Sequence, residues 1–231
     1  MKDHLSSHFC WETMAAENPE GFEILRDLIF APGKRVRPLL FAAACRDFGV
    51  EPFPRFSDVA LALELAHSFI LIHDDLIDRS AERRGRPTLQ CAADKWFSRV
   101  PADGFQGADF ALVGGDLLFS LAIESLSQAD VPAAAVAALM QDFMTTAQQT
   151  ARGAFLEMQA SQTPIDELTT EQVEEIYALK TGCYTFTLPL KLAAVCTDSD
   201  PAGLEEIGRP AGIAFQLQND LNSLQRWQET G

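Results

Sequence analysis

The run His73-Asp74-Asp75-Leu76-Ile77-Asp78 is the densest concentration of chemistry-bearing side chains in the sequence. Residues four apart share a helix face, so Asp74 and Asp78 can project into one space, with Asp75 rotated about 100° away. Three carboxylates at the C-terminal end of an apolar helix repel one another and the helix dipole unless cations neutralise them. All-oxygen ligation of this kind selects a hard ion such as Mg²⁺, which keeps several waters and shares its shell with phosphate oxygens. Seen alone, the same run also reads as a solvated acidic helix end. It has company. Gly33-Lys34-Arg35-Val36-Arg37-Pro38 lies upstream and Arg83-Arg84-Gly85-Arg86-Pro87-Thr88 downstream, and together they hold six of the 18 basic residues. Guanidinium and ammonium groups suit phosphate oxygens, Arg by bidentate bonds and Lys as a point charge. Either cluster by itself also reads as loop solvation. Flanking an acidic motif, the two make a site for two oligophosphate groups, one met through metal and the other directly through cations.

The elements that must position these groups read as helices. Ala, Leu, Glu, Gln and Met dominate segments with apolar residues three and four apart, and alternating β-branched runs are scarce. Helical pattern covers residues 21–30, then 37–48, then 57–78 with Ser57 or Asp58 as N-cap. A polar stretch, 79–87, and a Pro- and Gly-punctuated region, 101–107, come before further helices at 108–127, 132–159, 170–180, 184–195 and 202–231. Several are apolar over more than one face, as in a bundle whose inner helices are surrounded. The expectation is an all-α, single-domain bundle around a central apolar cavity, with no internal repeat.

Charge and cysteine usage narrow the function classes. A net charge of −15 opposes diffuse binding to nucleic acid or anionic lipid. An odd set of five cysteines without a CxxC pair suggests neither a disulfide framework nor a zinc knuckle, and a reducing cytoplasm is the expected setting. No signal core is visible at the N-terminus, and no stretch is read as the roughly 18 uncharged apolar residues of a membrane span. His73 beside Asp74 does not suggest zinc, because no second His lies at i+4 and His4 and His8 fall in an N-terminus expected to be loose. Gly114-Gly115-Asp116 lacks the strand and the GK[ST] of a nucleotide loop and reads as a close helix contact.

The chain resembles the trans-isoprenyl diphosphate synthases, the polyprenyl synthetase family. The matching segments are GKRVRP (33–38), ELAHSFILIHDDLID (64–78), RRGRPT (83–88), GGDLL (114–118), LKTG (179–182) and FQLQND (215–220), in the family's order. The resemblance implies an isoprenoid-synthase-type fold and a Mg²⁺-dependent enzyme that condenses an allylic diphosphate with isopentenyl diphosphate. It further implies that Asp74 and Asp78 hold metal with Asp75 in support, and that Arg83 and Lys180 bind the allylic diphosphate. Lys34, Arg37, His67 and Arg84 match positions that hold isopentenyl diphosphate, with Arg35 a weaker candidate. Thr181 and Gln216 match polar positions beside the reacting carbons, and the released diphosphate is the expected base. His67 taken alone is a packing residue; its spacing of seven from Asp74 puts both on one helix face. Phe69 lies five residues before Asp74, roughly 7.5 Å along a helix axis. Bulk at that depth limits chain growth in the family, implying a product of about fifteen to twenty carbons, although a core aromatic reads equally well. Family members are usually homodimers.

Three departures complicate the resemblance. The family's second Asp-Asp-x-x-Asp motif here reads Asn219-Asp220-Leu221-Asn222-Ser223, so the first ligand becomes an uncharged amide and only Asp220 is left as a metal candidate. The Gly-Gln pair expected near Gly153 reads Gly153-Ala154. The family normally continues past Gly231 with a lysine and further helices, so the chain is expected to lack those. These departures keep open a non-catalytic regulatory subunit of a prenyl synthase. A class I terpene cyclase is a further alternative, against which Lys34, Arg37, His67 and Arg84 argue, and an inert acidic scaffold is the last.

Overall fold

Good helix formers at helical spacing fold as helices throughout the computed structural model, which describes Leu5 and residues 9–99 and 104–230. His4, His8, Gly231 and the beginning of the punctuated 101–107 region lie outside the described residues. The chain divides into two compact units that interleave in sequence, 1–35 with 54–130 and 36–53 with 131–231.

The first unit contains α1 (Phe9–Glu17) and α2 (Pro19–Ile29), whose Asn18 side chain caps the N–H of Gly21 and whose Phe22, Leu25 and Ile29 bury one face. The periodic pattern of α2 was legible from residue 21; its Asn18 cap and α1 were not. After α3 (Val36–Asp47), which belongs to the other unit, comes α4 (Ser57–Ile77), buried continuously from Val59 to Ala66. The N-cap position of α4 is Phe56 with no side-chain cap, so neither Ser57 nor Asp58 performs the expected capping. A two-stranded hairpin, β1 (Glu82–Arg83) and β2 (Arg86–Pro87), occupies the polar stretch. Its Arg84-Gly85 turn has φ of 55° and 74°, the mirror-image turn that fits the strand twist. It is followed by α5 (Leu89–Phe97) and α6 (Gly107–Ser127). The sequence pattern missed α5, because its short buried face is only Leu89, Gln90 and Ala93.

Gly115 explains how closely α6 approaches α4. A Cβ there would come within 2.4 Å of His73 Nε2, so the expected close helix contact is where the Gly-Gly pair sits. Contrary to the expectation that no stretch qualifies, α6 is long and apolar enough to cross a membrane, with a mean hydropathy of 1.5. Ala111, Leu118, Leu121 and Ala122 are nevertheless buried, as in a core helix.

The second unit contains α3 (Val36–Asp47), α7 (Ala133–Ala160), a 3₁₀ turn (Ile165–Glu167), α8 (Thr170–Tyr177), a π-helical stretch (Ala178–Thr187), α9 (Leu188–Thr197) and α10 (Leu204–Thr230). The expected interruption between residues 180 and 184 does not exist, because helix continues through the π stretch. Pro189 has no N–H to donate and its ring crowds the carbonyl four residues earlier; a widened turn upstream relieves both. Gly182, inside this stretch, is a packing residue. A Cβ on Gly212 would lie 2.1 Å from Gly182 Cα, so α10 crosses the π stretch backbone to backbone.

Candidate active site

The C-terminal end of α4 is built by a left-handed cap. Arg79 takes φ 53°, Ser80 N–H donates to Asp75 O at 2.9 Å and Arg79 N–H to Leu76 O at 3.3 Å, the two bonds of a Schellman ending. Gln90 Nε2 ties the same corner by donating to Asp75 O and Ser80 O, and Thr88 Oγ1 donates to Ser80 O at 2.8 Å. The helix therefore stops at Ile77 with Asp78 as its C-cap, exposed, one turn beyond Asp74.

The three carboxylates are not equivalent. Asp75 is 1% exposed and accepts from Arg83 Nε through both oxygens at 2.9 Å. Arg83 Nη2 also reaches Asp74 Oδ2 at 3.2 Å. Burial acts to lower the Arg83 pKa, but the hydrogen bond and charge of Asp75, followed by the charge of Asp74, hold it above its ordinary value. Asp75 is thus a buried counter-ion that fixes Arg83, and its geometry is that of a supporting group rather than an open metal ligand.

The basic loops of this unit also sort themselves. Lys34 is exposed, and a side chain at Gly33 would come within 3.3 Å of Arg84 Nη1, so the Gly-Lys loop and the hairpin turn meet. Arg35 does not join them. At φ 49° its guanidinium turns inward to pair with Glu64, which is 3% exposed, and donates to the carbonyls of Ile29 and Ala31 at 3.1 and 2.9 Å. It closes the C-terminus of α2 and neutralises a buried carboxylate, so its guanidinium is engaged within the protein. His67 is half-buried on α4, and Phe69 packs on Phe119 of α6 with centroids 4.9 Å apart.

In the second unit, Arg37 is 7% exposed, lies 4.5 Å over the Tyr184 ring and donates to Thr185 Oγ1 at 2.7 Å. Lys180 Nζ pairs with Glu157 Oε2 at 2.5 Å. Thr181 Oγ1 donates to Gln216 Oε1 at 3.0 Å, Gln216 Nε2 donates to Asp220 Oδ1 at 2.9 Å, and Tyr177 Oη donates to Asp220 Oδ2 at 2.5 Å. Asn219 is exposed. Sequence reasoning missed Glu64, Glu157 and Tyr177. The one available signal was for Tyr177, which stands four residues before Thr181 as Gln216 stands four before Asp220.

Among the described residues no cluster of three His, Cys, Asp or Glu side chains converges as a ready metal cage. Mg²⁺ does not require one, since it binds through one or two carboxylates and completes its shell with water and substrate phosphate. Asp74, a quarter exposed, and Asp78, exposed one turn later, fit that donor set.

The family described as polyprenyl synthetase matches residues 19–230. The chain is 30% identical to a geranylgeranyl diphosphate synthase from Methanosarcina mazei over 91% of its own length and 61% of that protein's, so it spans about three-fifths of this relative. An isoprenoid synthase family member from Thermotoga neapolitana superposes with a TM-score of 0.76 at 31% identity, covering 90% of this chain and 74% of that one. A geranylgeranyl pyrophosphate synthase from Corynebacterium glutamicum, solved with isoprenyl diphosphate and magnesium, gives 0.76 at 28% identity, covering 88% and 59%. The all-α fold is thus that of isoprenoid synthases, and with nearly its whole length matched the chain belongs to the polyprenyl synthetase family.

Proposed function

We propose that the protein is a Mg²⁺-dependent trans-prenyltransferase that joins an allylic diphosphate to isopentenyl diphosphate. The observation that carries this is the end of α4, where two exposed or half-exposed carboxylates stand one turn apart beside an arginine fixed by a third. When bound, Mg²⁺ would neutralise charge developing on the departing diphosphate.

The chain's own residues would do the rest. Asp74 and Asp78 would hold the metal. Arg83 engages its carboxylates through Nε and Nη2, which leaves Nη1 for a diphosphate oxygen, and Asp75 keeps the guanidinium from moving. Preorganised donors of this kind need little reorganisation as charge develops. Lys180 would exchange Glu157 for the allylic diphosphate. Lys34 and Arg84 would grip isopentenyl diphosphate directly, joined by His67 and Arg37 as the resemblance implies. Thr181 and Gln216 would offer oxygen dipoles to the allylic cation, and the released diphosphate would take the proton. Phe69, braced by Phe119, would limit the product to about fifteen to twenty carbons. A homodimer in the cytoplasm belongs to the same proposal.

The test is to incubate the protein with Mg²⁺, isopentenyl diphosphate and each allylic diphosphate, then chromatograph the products. Elongated diphosphates support the reading. No product alone, but altered product length on mixing with a competent synthase, supports a regulatory subunit instead. Asn219, in place of an acidic ligand, is the observation that favours this second reading.

A further inference from the structure

The family resemblance implies a second metal motif on α10, and the side chains there are arranged for something else. Asp220 has a protein donor on each carboxylate oxygen, Tyr177 Oη on Oδ2 and Gln216 Nε2 on Oδ1. Its motif neighbours Asn219 and Ser223 are exposed and uncharged, and Ser223 Oγ donates to the carbonyl of Asn219 at 2.9 Å. We infer that Asp220 holds no metal ion and is the centre of a hydrogen-bond clamp, Tyr177–Asp220–Gln216–Thr181, that fixes the polarity of the Gln216 amide; its catalytic consequence rests on the function proposed above.

The clamp is a closed ladder between two neighbouring helices. Tyr177 and Thr181 are four apart across the start of the π stretch, and Gln216 and Asp220 are four apart on α10, so each pair shares a face. The backbone contact of Gly182 with Gly212, and of Gly208 with Thr187, sets how the two helices register. Chemistry then dictates each rung. An ionised carboxylate only accepts, so Gln216 must turn its NH₂ toward Asp220 and its carbonyl oxygen toward Thr181. Thr181 must in turn spend its hydroxyl proton on that carbonyl, leaving only Oγ lone pairs to present. Oxygen dipoles fixed this way stabilise a nearby cation with little reorganisation, whereas an unclamped amide could rotate its positive N–H edge into place. Gln216 and Thr181 are the groups beside the reacting carbons, and Tyr177 and Asp220 are positioning residues. Each Asp220 oxygen already has one donor that orients it, and Asn219 and Ser223 supply no second carboxylate to share a metal with it.

Two readouts do not depend on turnover. Titration of the full chain with Mn²⁺ in the presence of inorganic diphosphate should give the same stoichiometry for wild type and Asp220→Asn; loss of one equivalent in that variant overturns the inference. The Gln216 side-chain amide resonances should move in both Asp220→Asn and Tyr177→Phe, and resonances that stay in place overturn the clamp. A third readout is kinetic. Tyr177→Phe should lower kcat about fivefold with both KM values within about twofold, since positioning acts on the cation and not on diphosphate binding. An unchanged kcat, or a loss confined to KM, refutes the positioning role. If Asp220→Asn does not fold, Tyr177→Phe reports the metal, amide and kinetic quantities in its place. A wild type that makes no elongated product refutes the proposed function alone, because the metal and amide readouts still decide the clamp.

Discussion

The end of α4 and the middle of α10 carry related sequences and solve opposite problems. At the end of α4, three carboxylates crowd a helix terminus, and the unit answers with a cation, Arg83, on the buried one, leaving Asp74 and Asp78 toward solvent. On α10 one carboxylate remains, and two neutral donors, Tyr177 and Gln216, engage one oxygen each. The first arrangement has three carboxylates against one guanidinium, a surplus that a divalent ion can relieve; the second has a single carboxylate held by neutral donors. Spacing alone does not make a metal site. What matters is how many carboxylates gather and which groups already orient them.

Asp74→Ala should break this contrast most severely. Elongation should fall by about a thousandfold or more with helicity by circular dichroism unchanged, since a charge contact to metal worth several kcal/mol is lost. Asp220→Ala should cost only about ten- to thirtyfold in the same assay, and equal losses at the two positions would abolish the distinction. Arg83→Met comes next. It strands the buried Asp75 carboxylate, 2% exposed in its side chain, and should lower unfolding stability by about 3–5 kcal/mol in urea titrations.

Alkaline pH should dismantle the α10 clamp by itself. Burial, followed by the hydrogen bond to Asp220, pushes the Tyr177 phenol up from 10.0 to about 12. The folded state therefore holds this proton more tightly than the unfolded chain does. The stabilisation is complete below about pH 10 and disappears as pH rises to about 12. Phenolate absorbance should show a late phase for wild type that Tyr177→Phe removes. The smallest effect is expected from Asn219→Asp, which restores an acid while Asp220 stays engaged. Mn²⁺ stoichiometry should not change, and a gained equivalent would show that the missing ligand, rather than the clamp, excludes the metal.

Much of the candidate site was legible. The i,i+4 pairing of Asp74 with Asp78, the basic loops on either side, and the Gly114-Gly115 contact all follow from local rules. The inward turn of Arg35 was not legible because its neighbours Lys34 and Arg37 carry the same charge, and only the buried Glu64, 29 residues later, reveals it. The break expected after Lys180 failed because the periodicity of about 3.6 residues is lost across a π stretch that is still helix, and Gly182 within it admits the α10 backbone at Gly212.

The sequence by itself determined the longer helices, where a carboxylate-rich helix end lies, and which cations accompany it, because helix periodicity and charge are properties of neighbours along the chain. Tertiary structure decided which charges are spent on the protein itself: Arg35 on Glu64, Arg83 on Asp75, Tyr177 and Gln216 on Asp220. Most of these partners lie on separate elements and meet only when those elements pack; Gln216 alone stands four residues from its acid on the same helix.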